Sequence, residues 1–140
     1  MKKLLLTLCT LALLACSKGD DNDNKVVYDE TKGYLTNLES VKHGIVGTWK
    51  HSLNVCEDSY DQWTFNKNST YNYMLKVDCV GASESITGKY IIFEKDGKFY
   101  VDLDENFRNS GRLTLLEITT LTKTNIILSQ WNIGTTFIRQ

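Results

Sequence analysis

Two thiols, one imidazole and a group of aromatic rings carry the chemistry available in the middle of this chain. Cys56 and Cys79 could be oxidised to a disulfide. His51 could act as a base, a ligand or a hydrogen-bonded interior group, and a lone inward histidine is most often the last. Trp63, Tyr71, Tyr73 and Tyr90 could line an apolar pocket with hydroxyls at its mouth, the usual make-up of a small-molecule site. The other histidine, His43, lies beside a helix end. Glu57, Asp58 and Asp61 read as an acidic loop on a solvated face, with a weak calcium site as a remote alternative. The sequence holds no H-E-x-x-H, no G-x-S-x-G and no phosphate-binding glycine loop. Its cysteines and histidines are not clustered at zinc spacings. No catalytic residue, metal or cofactor is therefore expected, and an enzyme would have to rest on His51 alone.

The compartment decides what the thiols do. Lys2 and Lys3 precede an apolar run, Leu4 to Leu14, which is too short to span a bilayer and reads as the core of a secretory signal. Leu13-Leu14-Ala15-Cys16 resembles the lipobox of bacterial lipoprotein signals, in which cleavage leaves the cysteine as a lipidated first residue. The resemblance implies an anchor at Cys16 built from several acyl chains, enough for stable membrane attachment. Ser17-Lys18-Gly19-Asp20-Asp21 resembles the surface-export signal of Bacteroidota-type lipoproteins, which implies the outer membrane of a Gram-negative envelope and its outer leaflet. The membrane is then the partner of the N-terminus. Cys56 and Cys79 are the two thiols left to the exported domain, where disulfides persist. With Lys2 and Lys3 removed, the net charge of -1 falls to about -3. No basic stripe suggests nucleic acid.

Three segments follow: a signal over residues 1–15, a polar acidic tether over 16–33, and a folded domain over 34–140. Thr36-Asn37-Leu38-Glu39 fits a capping box with Thr36 as N-cap, and Gly44 falls where a helix ends. A helix of about two turns is expected, with Leu38 and Val41 on one face. Beyond it, alternation and turn residues mark strands at Ile45 to Leu53, Asp61 to Phe65, Thr70 to Val77, Gly88 to Glu94, Phe99 to Leu103, Leu113 to Leu121, Asn125 to Gln130 and Thr135 to Arg139. Asp96-Gly97 is a strong two-residue hairpin signal. With no room for crossover helices, the chain reads as all-β: an eight-stranded antiparallel up-and-down barrel behind a short N-terminal helix, since closure removes exposed edges.

The family resemblance lies in particular residues. Gly47-Thr48-Trp49 on the first strand resembles the lipocalin G-x-W motif. Trp63 to Tyr71 resembles the hairpin between the second and third strands of small bacterial lipocalin-like domains, with Ser69 where those carry glycine. Gly88-Lys89-Tyr90 fits the fourth strand and Thr136-Phe137-Ile138-Arg139 the last. The resemblance implies that Arg139 packs across Trp49 at the closed end of the barrel. A three-residue loop in the hairpin sets Phe65 opposite Tyr71 and Trp63 opposite Tyr73, which alone puts the aromatics on one face. This register brings Cys56 within one residue of Cys79 and makes a disulfide across the hairpin reasonable. The Asp96-Gly97 turn pairs Ile92 with Val101 and Tyr90 with Leu103. Strands six and seven cannot be assigned faces.

Two readings of the lumen stay open. In one, His51, Trp63, Tyr71, Tyr73 and Tyr90 surround a small apolar or amphipathic ligand. In the other they fill the barrel, and the protein is a structural or protein-interaction module at the cell surface. An eight-stranded interior is just wide enough for either.

Overall fold

The computed structural model describes residues 25–140. The signal segment, the lipidation residue Cys16 and the acidic run after it lie outside the described residues. Helix α1 (Leu38–Ile45) is followed by β1 (Gly47–Ser52), β2 (Tyr60–Phe65), β3 (Thr70–Val77), β4 (Ala82–Lys95) and β5 (Lys98–Leu103). Helix α2 (Glu105–Asn109) then leads to β6 (Leu115–Leu121), β7 (Asn125–Gln130) and β8 (Ile133–Arg139). The eight strands form a closed antiparallel barrel in sequence order, as the alternation and the lipocalin resemblance both imply.

Hydrophobic alternation sets the register. Trp63 faces Tyr73 and Phe65 faces Tyr71 across β2 and β3, so one slip would turn four large rings out to water. Tyr90 faces Leu103 and Ile92 faces Val101, as expected from the Asp96-Gly97 turn, whose two residues have φ of 53° and 71°. The faces of β6 and β7, open in the sequence because the turn from Thr122 to Asn125 is ambiguous, are further complicated by a register shift between Ile118 and Thr120. Leu116, Ile118 and Leu121 are all buried despite the odd step, and a bulge that breaks the period of two defeats pattern reading.

The closed end is built around Trp49, which is fully buried. Its indole N–H donates to the Ile45 carbonyl at 2.7 Å. The Arg139 guanidinium lies 4.1 Å over its ring and donates to the Gly44 and Val46 carbonyls at 2.6 and 2.9 Å. One side chain thus covers the aromatic face and satisfies carbonyls at the end of α1, which have no partner within the helix. Gly47 has φ of 142°, and a Cβ there would lie 2.6 Å from Arg139 Nη1. That close approach explains the glycine of the motif.

Several expectations are corrected. The N-cap of α1 is Asn37, whose side chain accepts from Ser40 N at 2.8 Å, and not Thr36, whose hydroxyl donates to the Val27 carbonyl. Gly44 lies inside the helix, with the Tyr34 ring where a Cβ would be. Chain read as the end of a tether packs on the domain: Gly33 lies against the Leu121 backbone, and Val27 N donates to the hydroxyl of the fully buried Ser40. β4 starts at Ala82 rather than Gly88. Its first half pairs with β3 and its second with β5, so a single long strand bends from one neighbour to the other.

Candidate functional site

The fold places its short turns, α1 and the C-terminus at one end. At the other end lie the β1–β2 loop, the turn Asp78–Val80, α2 and the β7–β8 hairpin tip. This second end is the mouth. β1 and β8 pair only at Trp49–Arg139 and Lys50–Ile138. Beyond these, His51 Nδ1 donates to the Thr136 carbonyl at 2.9 Å, a side chain replacing the ladder where the strands part. The Cys56–Cys79 disulfide is formed, with Cα atoms 5.9 Å apart, and ties the β1–β2 loop to the segment after β3.

The middle of the lumen is packed. Trp49, Phe65, Tyr71, Tyr90, Val101, Ile118, Leu121 and Ile126 are buried and belong to one continuous core. Helix α2 supplies what the sequence reading missed. Its Phe107, buried, enters the barrel from the side of β4 and meets Trp63 at 5.1 Å, Tyr73 at 5.5 Å and Tyr71 at 6.1 Å between ring centroids. Asp104 fixes the helix, accepting from the Tyr71 hydroxyl at 3.0 Å and Lys89 N at 2.8 Å. Burial, then the Asp104 hydrogen bond and charge, hold the Tyr71 hydroxyl well above the usual phenol range. Five residues are too few to show helical periodicity. The available signal was an aspartate followed by one apolar residue in a polar connection.

Above Phe107 the barrel opens into a cleft of about 610 Å³. Trp63, Tyr73 and Phe107 form its floor and one wall; Leu116, Leu128 and Phe137 form the other, with Trp131 and Ile133 at the rim. Arg112 spans the entrance. Its guanidinium lies 5.2 Å over the Tyr73 ring and 5.8 Å from Phe107, and it makes two parallel bonds to Glu84, at 2.9 and 2.6 Å. That fork neutralises its charge in a fixed geometry. The Tyr73 hydroxyl is pushed up to about 12, first by burial and then by the Asp61 charge.

Asp61 is the residue the acidic-loop reading misplaced. It belongs to β2, pairs across β1 with His51, and shares the inward face of Trp63 and Phe65. The same alternation that placed the tryptophan would have placed it. Its Oδ1 is sealed from solvent, and among the described residues no hydrogen-bond donor reaches it. Burial raises the carboxyl to about 6, against the opposing pull of His51 and Arg112.

The five residues proposed from sequence therefore separate. Trp63 and Tyr73 line the cleft. Tyr71 lies in the packed core beneath it, bonded to Asp104. Tyr90 is at the closed end, where its hydroxyl donates to the Asn66 carbonyl at 2.9 Å. His51 lies at the β1–β8 seam with its ring 5.7 Å from Phe137. Spacing along a strand gives the face a side chain takes but not its height in the barrel.

No protein-family model and no curated protein matches the sequence. Among solved structures, the chain is similar to a lipocalin-like protein from Bacteroides uniformis, at 15% identity and a TM-score of 0.47 over 69% of this chain and 99% of that one. It is also similar to an uncharacterized protein from Bacteroides eggerthii, at 16% identity and a TM-score of 0.45 with the same coverage. At that distance the fold class rests on this chain's own strand order and register.

Proposed function

We propose that this protein is a lipid-anchored protein of a bacterial outer membrane that binds a small apolar or amphipathic molecule in the mouth of its barrel. The observation that carries the binding role is the cleft above Phe107. Its volume lies within the usual range for small-molecule sites, roughly 300–1,000 Å³, and its walls are apolar with few polar groups. The anchor is supported by Leu13-Leu14-Ala15-Cys16 behind a basic and apolar leader. Asn37 donates to the Lys25 carbonyl at 3.1 Å, so the described chain starts beside α1. The described chain thus enters the domain on the closed-end side, away from the mouth.

Thr135 tests the binding site. It lines the cleft, is half-buried and faces Leu128 across β7 and β8, so Thr135→Trp projects a ring into free space and not into the core. Titration with the neutral fluorophore N-phenyl-1-naphthylamine should give saturable binding to the wild type and at least tenfold weaker binding to Thr135→Trp, at a similar melting temperature. Equal binding by both proteins places the ligand elsewhere.

A second reading, a protein-interaction module, is favoured by the rim itself. Trp131 is 81% exposed and Ile133 74%, beside exposed Leu113 and Leu115. Large apolar side chains gathered at a surface mark contact sites. Absence of any probe uptake by the wild type decides for this reading.

A further inference from the structure

We propose that the mouth cleft is selective for a cationic amphiphile, a molecule with an apolar body and a primary or secondary ammonium group, and that Asp61 is the residue that receives the ammonium. This rests on the binding role proposed above and names the chemistry of its ligand.

Four observations point the same way. Asp61 Oδ1 is solvent-sealed with no donor among the described residues, and a buried acceptor left unmade costs more than a satisfied one returns. Asp61 is itself only part-buried and lines the cleft, so a ligand ammonium that meets its carboxylate there offsets the cost of burying it. Two other polar groups of the cleft are already engaged: Arg112 is held by Glu84 and Ser110, and Gln130 donates to the Leu113 carbonyl at 3.2 Å. His51, beside Asp61, is committed through Nδ1 to the Thr136 carbonyl. Among the described residues, the one buried side-chain acceptor without a donor is an acid of this cleft.

Charge around the mouth has the same sign. Residues 53–61, 74–86 and 102–115, which form its loops and strand ends, carry eight carboxylates against three basic side chains. Of those three, Lys76 is paired with Asp78 and Arg112 with Glu84. Such an entrance draws cations and repels fatty-acid carboxylates. The exposed ring of Trp131 at the rim adds a face over which an ammonium is attracted, while Leu116, Leu128 and Phe137 receive the apolar body.

Three probes with one chain and three headgroups separate the possibilities: dodecylammonium, dodecanol and dodecanoate, titrated into the purified full-length protein by calorimetry at pH 7.5. Dodecylammonium should bind at least tenfold more tightly than dodecanol, with dodecanoate weakest. In Asp61→Asn the advantage of the ammonium over the alcohol should fall below threefold. In Glu57→Gln, an acid of the outer loop, at least fivefold of it should survive. Equal or tighter binding of dodecanol or dodecanoate by the wild type overturns the assignment of charge while leaving the cleft a binding site. An unchanged preference in Asp61→Asn overturns the role of Asp61. If none of the three probes binds, the binding role itself fails, and this inference with it.

Discussion

At the scale of single residues, the molecule spends its burial unevenly. Trp49 and Arg139 are largely used: the indole N–H, the ring face and two guanidinium nitrogens each have a partner, and only the buried Arg139 Nε has none among the described residues. Asp61 is the opposite case, a carboxylate placed among aromatic rings with one oxygen unmatched. This has a measurable cost. Its folded-state carboxyl titrates near 6 against an ordinary value of 3.8, so between these values the folded chain holds a proton that the unfolded chain has released. Stability must therefore fall as pH rises from about 4 to 6, and the loss is complete above that. Asp61→Asn removes the effect. Relative to wild type, its gain in stability should be small at pH 4 and grow to roughly 1 kcal/mol by pH 7.5, once solvent screening of a partly exposed group is allowed for. Thermal melts of both proteins across this range check the sign. A gain that shrinks with rising pH would show that Asp61 is stabilised as an anion.

At the scale of elements, the disulfide and α2 hold the mouth in shape. Cys56–Cys79 closes a separation of 23 residues between the β1–β2 loop and the turn after β3, which also share the bond from Asp78 N to the Ser59 hydroxyl. Constraining the unfolded chain across such a loop contributes roughly 3 kcal/mol. Reduction should lower the melting temperature by several degrees, and Cys56→Ser with Cys79→Ser should melt at the reduced temperature. No change on reduction would mean that the pair adds nothing to the fold. This pairing was readable because the aromatic register of β2 and β3 brought the two cysteines level. The strands were readable for the same reason: side chains that alternate between core and water leave a period of two in the sequence. Where the period breaks, reading fails. The Thr122 to Asn125 turn and the bulge in β6 hid the faces of β6 and β7, and α2, too short for a period, was read as connection although its Phe107 forms the floor of the cleft. The Trp131-Asn132 turn, with φ of 48° and 65°, carried no glycine to announce it.

At the scale of the whole molecule, the barrel has two unlike ends. One is sealed by α1, the G-x-W tryptophan and the terminal arginine, and these were all visible as residue types at set places. The other is an acidic, aromatic, partly open mouth. Its existence depends on how far up the barrel the filling reaches, which no strand pattern records. Tyr71, Tyr90 and Trp63 look alike in sequence, yet only the last reaches the cleft. The barrel is packed around Phe107 and carries a cleft above it.

The most direct test of the account is the native mass of the protein isolated in mild detergent from the cells that make it. The account predicts a mass beyond that of the chain and its covalent modifications, belonging to a small molecule, lost on denaturation and missing from Thr135→Trp. A chain that carries nothing, in a protein that also takes up none of the apolar probes, would contradict the binding role and leave the exposed rim of Trp131 and Ile133 as the functional surface.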